Sequence, residues 1–318
     1  MQQVIPNPYY YKVFGLNIQS EIPLDGLIAT IHTPAPDVRL QYGKVTPPAA
    51  GLPDTTYEPR FIYNDRLYYV KVPRDVGAFL VHKLPHRTEI LFDIAIKEEE
   101  QTAMAWFYGL VLSGVLHLND LFALHASGIM HEGQLHLFCG HSGMGKSTIA
   151  AQLRSRGYPL FTDDKCVVHW DNENEVYMAS PSLQVMRLWN NSSEQIEHDD
   201  FLTDPVPVVF KARKNQYRIK TSELILERQP LKCIYILAQV PEDDELKCVP
   251  LKGIRKVRFL RKQIFRANMV KGFHKEGVLW QFLQQLVQTV PVYILRRPKN
   301  TPIPDFGDFV EQALLAAK

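Results

Sequence analysis

The sequence predicts a two-part α/β (α+β) protein. Residues 1–96 form a small all-β domain, and residues 97–318 form an α/β domain around a phosphate-binding loop. Three observations carry this prediction. Nine of the 22 prolines lie between Pro6 and Pro59, and the runs among them are short and alternating, which disfavours helices and suits strands joined by turns. The acid-led apolar run Lys97–His117 then breaks that pattern. Beyond it, Gly140–Ser147 reads G-x-x-x-x-G-K-[ST] between a strand pattern and a helix pattern.

The elements follow in order. Tyr9–Ser20 reads as a strand, as does Val38–Val45. Arg60–Pro73 reads as a hairpin turning at Asn64-Asp65, and Ala78–Leu84 pairs with Thr88–Ala95 around Pro85-His86. Lys97–His117 opens with Glu98, Glu99 and Glu100, which suit the positive end of a helix dipole, and continues as a mostly buried helix. From Leu121 to Gly140, two apolar strands flank the turn His131-Glu132-Gly133. A helix runs from Lys146 to Arg156 and is ended by Gly157. Pro159–Thr162 is a short buried strand. Cys166–Trp170 and Val176–Ala179 form a hairpin. Residues 190–207 read as a polar, acidic, mobile insertion. Cys233–Val240 is an apolar strand, Val257–Met269 and Val278–Val290 are amphipathic helices, Val292–Leu295 is a late strand and Phe309–Ala317 a last helix.

Composition narrows the function. The chain has 318 residues, 46% hydrophobic and 22% charged, enough to bury a sizeable core. Lys plus Arg is 36 and Asp plus Glu is 34, a net charge of +2. That balance argues against a dedicated nucleic-acid binder. Cys139, Cys166, Cys233 and Cys248 form no CxxC pair, so neither a zinc site nor a disulfide framework is indicated. The start MQQVIPNPYY lacks the basic and apolar regions of a secretory signal. The longest apolar stretch, Met104–Leu118, falls short of the ~20 residues a membrane span needs. The expectation is a cytoplasmic protein with no membrane partner.

The loop carries the chemistry. Gly140, Gly143 and Gly145 let the backbone fold tightly, so that the amides of His141, Ser142, Met144 and their neighbours can point at one anion. The following helix adds its positive end. Lys146 supplies a cation for the β- and γ-phosphates, and the Ser147 hydroxyl is the expected magnesium ligand, with Thr148 a spare hydroxyl. The implied cofactors are ATP and Mg2+. Asp163-Asp164 follows the strand Pro159–Thr162. Alone, such a pair is ordinarily a solvated turn. After a phosphate loop and a core strand, one carboxylate suits magnesium and the other suits the proton of an attacking hydroxyl. His125 sits one strand before the loop, where a histidine is either a core residue or a site residue.

Two basic stretches remain. Lys252 to Lys275 holds nine Lys or Arg and no acid, with Ile254, Val257, Leu260, Ile264, Phe265 and Met269 at the spacing of a buried helical stripe. It reads as a solvated face, or as a docking surface for an acidic peptide or phosphates. Lys211, Arg213, Lys214, Arg218 and Lys220 form the second stretch, from which one cation could reach a transferred phosphate.

The run LHASGIMHEGQLHLFCGHSGMGKSTIAAQLRSRGYPLFTDDKCVV, Leu124–Val168, resembles the catalytic core of the HPr kinase/phosphorylase family. The shared elements are the histidine before a hairpin, the GxSGxGKS loop, the helix ending in R-G, and the strand ending in D-D. Weaker likeness extends over roughly residues 96–300. The segment Tyr10–Leu27 looks like the amino-terminal β domain of HPr-kinase-related proteins found beside peptide-modification genes, which include kinases that phosphorylate lasso-peptide precursors at a C-terminal serine. The resemblance implies a mixed-sheet kinase core similar to phosphoenolpyruvate carboxykinase, and an ATP- and magnesium-dependent serine kinase. Its implied acceptor is a peptide or small protein. Lys146, Asp163 and His125 become catalytic, with Asp163 the base and His125 at the phosphates, and Ser147 with Asp164 holds the metal. The chain lacks the family's downstream glutamate-containing segment and its Gly-Arg-Asn segment, which implies a kinase without the reverse phosphorolysis. HPr kinases are hexamers, a state that does not carry over to a chain with a different first domain; a homo-oligomer stands among the expectations. Two other readings stay open: a kinase of a small metabolite such as free serine, and a nucleotide-gated peptide-binding module.

Overall fold

The computed structural model describes residues 8–183, 185–189, 202–206 and 214–316. The chain divides into two compact units: Met1–Phe122 with Arg266–Trp280, and Ala123–Phe265 with Gln281–Lys318. The spatial boundary is therefore not at the change of composition near residue 96.

The first unit is built on one nine-stranded sheet. Its strands are β1 (Tyr9–Val13), β2 (Leu16–Ser20), β3 (Ile28–Ala29), β4 (Val38–Tyr42), β5 (Thr56–Tyr57), β6 (Phe61–Tyr63), β7 (Leu67–Lys71), β8 (Gly77–Lys83) and β9 (Thr88–Ile94). Their order is β3-β1-β2-β4-β9-β8-β7-β6-β5. Tyr9–Ser20 is thus not one strand but a hairpin. Phe14 (φ 55°) and Gly15 (φ 85°) both take the left-handed conformation a tight two-residue turn requires. On β8 and β9 the buried residues alternate, and Phe79 stacks on its cross-strand partner Phe92 at 4.5 Å.

The apolar run after the sheet is a continuous helical stretch. It comprises α1 (Glu100–Trp106), a π-turn at Phe107–Val111, and α2 (Leu112–Leu118). It stays with the first unit because its apolar face packs on the sheet's rings. Phe107 lies 5.9 Å from Phe79. Gly114 approaches so closely that a Cβ there would meet Tyr68 Cδ1 at 2.2 Å.

The second unit has a mixed α/β architecture. Its strands are β10 (Ala123–Leu124), β11 (Ala126–His131), β12 (Gln134–Cys139), β13 (Leu160–Thr162), β14 (Cys166–Asp171), β15 (Val176–Ser180), β16 (Val185–Trp189), β17 (Leu202–Val206), β18 (Lys214–Ile219), β19 (Gln229–Val240), β20 (Lys247–Pro250) and β21 (Val292–Pro298). The main sheet runs β10-β14-β15-β19-β12-β11-β13, and β21 and β20 extend it beyond β19. β12, β19 and β21 are mutually parallel; β11 is antiparallel to β12 and to β13. β16, β18 and β17 make a separate three-stranded sheet. The core gathers Ile129, Phe138, Ile149, Leu153, Tyr235 and Leu295 with Phe306 and Val310 of the last helix.

Four helical segments complete this picture: α3 (Lys146–Ser155), α4 (Ile254–Arg261), α5 (Glu276–Thr289) and α6 (Ile303–Ala316). The helix expected over Val257–Met269 stops at Arg261. Its continuation leaves the helix because Ile264 bridges Leu124 and the Phe265 amide donates to the Ala123 carbonyl, so the chain edges a strand instead. Ile254, expected in the apolar stripe, is 69% exposed. α6 begins six residues before the expected Phe309. In the polar insertion, residues 190–201 and 207 lie outside the described residues, as do Lys211 and Arg213.

Candidate functional site

The register of the main sheet brings the site to one edge. Ala126 pairs with Cys139, Gly128 with Thr162, Cys139 with Ile236, and Gln239 with Arg297. The C-terminal ends of β12, β13, β19 and β21 therefore coincide with the start of β11. His125, Gly140, Asp163 and Arg297 follow or flank those ends. In open α/β sheets, ligands bind outside the carboxyl ends of the strands.

The loop leaves β12 at Gly140 and enters α3 at Lys146. Gly143 (φ 86°) and Gly145 (φ 93°) are left-handed, a conformation that costs any residue with a Cβ. At Gly140 a Cβ would stand 3.1 Å from the Leu237 carbonyl oxygen, so the neighbouring strand also demands the absence of a side chain. His141, Ser142 and Gly143 are exposed, Met144, Gly145 and Ser147 half-buried, and Lys146 and Thr148 buried. Lys146 Nζ donates to the Gly140 carbonyl at 2.8 Å and to that of His141 at 3.4 Å. Its ammonium thus sits over the loop. Glycine-framed amides and a helix start are the parts from which anion cradles are built.

The two aspartates take different environments. Asp163 is 2% exposed, and the Ser127 hydroxyl donates to its Oδ1 at 2.5 Å. The Thr162 hydroxyl donates to the Lys165 carbonyl at 2.8 Å and lies 2.7 Å from Ser182 Oγ, which pins the turn carrying both carboxylates. Asp164 has φ 76°, a left-handed non-glycine residue at the strand end, and such positions concentrate at functional sites. Its Oδ1 lies 3.9 Å from His125 Nε2. The His125 amide donates to the Gln263 carbonyl at 2.7 Å, and its ring lies 5.7 Å from Phe265. His125 is therefore half-exposed beside a carboxylate rather than a core residue.

Four site residues had escaped the sequence reading. Ser127 holds Asp163. Lys165 is buried with its ammonium 4.6 Å from the centre of the Phe265 ring. Arg297 on β21 faces the loop, as described below. Ser127 and Lys165 had a signal: each sits within two residues of a residue already singled out. Phe265 and Arg297 arrive only through strand pairing. Of the two basic stretches, Arg218 lies exposed on β18, and Arg255, Arg258, Arg261 and Lys262 are exposed around α4.

The hard oxygen donors here are the Ser147 hydroxyl, in the first turn of α3, and the Asp164 carboxylate beside His125. Among the described residues no group of three or more His, Cys, Asp or Glu could hold a metal ion. A cation here would fill its shell with phosphate and water oxygens, as magnesium commonly does, so the donor set fits that ion. Burial pushes the Cys139 thiol up to about 12, as it does that of Cys233.

No protein-family model matches the chain, and no curated protein matches it. Among solved structures it is similar to the Hpr(Ser) kinase/phosphatase from Coxiella burnetii, with 12% sequence identity and a TM-score of 0.33, over 61% of this chain and 97% of that one. No helix among the described residues is long and apolar enough to cross a membrane.

Proposed function

We propose that this chain is an ATP-dependent phosphotransferase that moves the γ-phosphate to a serine hydroxyl of a peptide or small protein. The observation that carries the reading is the shared sheet edge. A glycine-framed loop and a buried carboxylate held by a hydroxyl follow β12 and β13, the two strands that flank β11. Phosphoryl transfer asks for little covalent chemistry from the protein, and mostly for positioning and charge stabilisation.

The roles follow from the residues. The loop amides and Lys146 bind the phosphates, which requires the ammonium to exchange the Gly140 and His141 carbonyls for phosphate oxygens. Asp163 accepts the proton of the acceptor hydroxyl, and Ser127 orients it. His125 borders the transferred group from the Asp164 side. Ser147 and Asp164 would hold magnesium, which neutralises developing charge on the phosphates.

The test is transfer of labelled phosphate from ATP with magnesium to three acceptors: a peptide ending in serine, free serine, and HPr. Label on the peptide that disappears in Asp163→Asn, with ATP binding kept, is the expected result. Near-wild-type turnover in that variant would overturn the base assignment. Label on free serine would make this a metabolite kinase, and label on HPr a regulatory one. ATP binding without transfer to any acceptor would favour a nucleotide-gated binding module.

A further inference from the structure

The loop has a neighbour that its motif does not contain. Arg297 lies near the end of β21, two strands from β12 across β19. A Cβ on Gly145 would stand 3.4 Å from its Nη1, so the guanidinium lies against the loop where it enters α3. The Cζ atom is 5.3 Å from the centre of the Phe306 ring on α6. That stacking holds the planar group in place.

Among the described residues, no carboxylate forms an ion pair with Arg297, whereas its neighbour Arg296 lies 3.8 Å from Asp244. Arg156, near the far end of α3, pairs with both Asp308 and Glu311. Burial pushes the Arg297 guanidinium below its ordinary value. A half-buried cation without an anion is unfavourable, and an arriving anion relieves it. Guanidinium matches phosphate in a two-pronged fork that an ammonium cannot form.

We propose that Arg297 is a second phosphate-binding cation of this site, reaching the polyphosphate from β21 while Lys146 reaches it from the loop. The proposal rests on the reading that the loop binds a nucleoside triphosphate. It adds a requirement absent from the motif: the last strand and the Phe306 brace must be in place for tight binding. Phe306 is a positioning residue in this scheme, and Arg297 touches the substrate.

The test uses the full chain and three nucleotides. Arg297→Met removes the charge and keeps an apolar stem on Phe306. It should weaken ATP and ADP binding about ten-fold or more, the usual weight of a charge-assisted contact, and leave AMP binding unchanged. The ligand-free melting temperature should stay level or rise, because an uncompensated charge has gone; a merely structural arginine would lower it. Arg297→Lys should recover part of the loss. A measurement on unaltered protein stands beside the variants. Inorganic tripolyphosphate should protect Arg297, and not Arg296, from an arginine-directed dicarbonyl reagent read by mass spectrometry. If Lys146→Ala loses ATP while Arg297→Met binds it as tightly as wild type, the proposal fails and the loop reading survives. If unaltered protein binds no ATP, both fail.

Discussion

Asp163 shows how a buried group is oriented by a neighbouring hydroxyl. The carboxylate is almost wholly out of water, and Ser127 donates to it at 2.5 Å. A buried acceptor stripped of its donor loses orientation as well as about 1–3 kcal/mol. Ser127→Ala should therefore cut kcat between about 10- and 100-fold, since small misplacements of a reacting group cost that much. The KM for ATP should hold, because the hydroxyl is on β11 and not in the loop. Steady-state kinetics against ATP and acceptor would check this; an equal fall in ATP affinity would place Ser127 in the cradle instead. The serine was legible only as a neighbour of His125, because its value comes from strand pairing that puts Gly128 opposite Thr162.

Elements carry a different kind of prediction, and β12 supplies one. His136 lies on that strand with its ring 6.2 Å from Tyr235 and its Nδ1 3.3 Å from Cys233 Sγ on β19. Burial, with smaller contributions from His131 and Lys232, pushes its pKa from 6.5 down to about 4. The unfolded chain therefore takes up a proton near pH 6.5 that the folded chain refuses until near pH 4. Stability from this residue is intact above pH 6.5 and is lost as pH falls toward 4, by about 3 kcal/mol. Urea denaturation at pH 7 and at pH 4.5 should show that loss in the wild type and a smaller one in His136→Phe. Equal losses in the two proteins would sink the assignment. The strand that buries His136 was visible in the sequence, since the run before the loop reads as apolar, and it is buried from Leu135 to Cys139. Its partner was not, because β19 lies about 100 residues along the chain.

At the scale of the whole molecule, the chain crosses between its two units three times. The short return segment Arg266–Trp280 belongs to the first unit through a ring cluster. Phe273 is fully buried, 5.0 Å from Tyr63, 5.4 Å from Tyr68 and 5.9 Å from His117. Lys275 adds an ion pair to Asp120 at 2.7 Å. Phe273→Ala should cost about 3–5 kcal/mol, the usual penalty for emptying such a site. A fragment ending at residue 122 should melt lower and less cooperatively than the unit in the full chain, as read by circular dichroism. An unchanged melt of that fragment would show that the return segment adds nothing. The composition shift at residue 96 could not reveal this arrangement, because composition is read along the chain and the ring cluster forms across it.

The sequence by itself determined the local features. Proline spacing and alternation marked the first sheet's strands, and acids followed by apolar residues marked the helical run. Glycines at fixed spacing before Lys146 marked the tight loop between β12 and α3, whose conformation only glycine takes at low cost. Two adjacent aspartates after a core strand marked the carboxylates. Each of these is a property of a few consecutive residues, so it is written where it acts. Tertiary structure decided what lies between distant segments: the break of the long basic helix at Arg261, the hydroxyl on Asp163, the phenyl ring over Lys165, and the guanidinium of Arg297 beside Gly145. Strand pairing sets those neighbours, and the energy of a pairing depends on residues far apart in the chain.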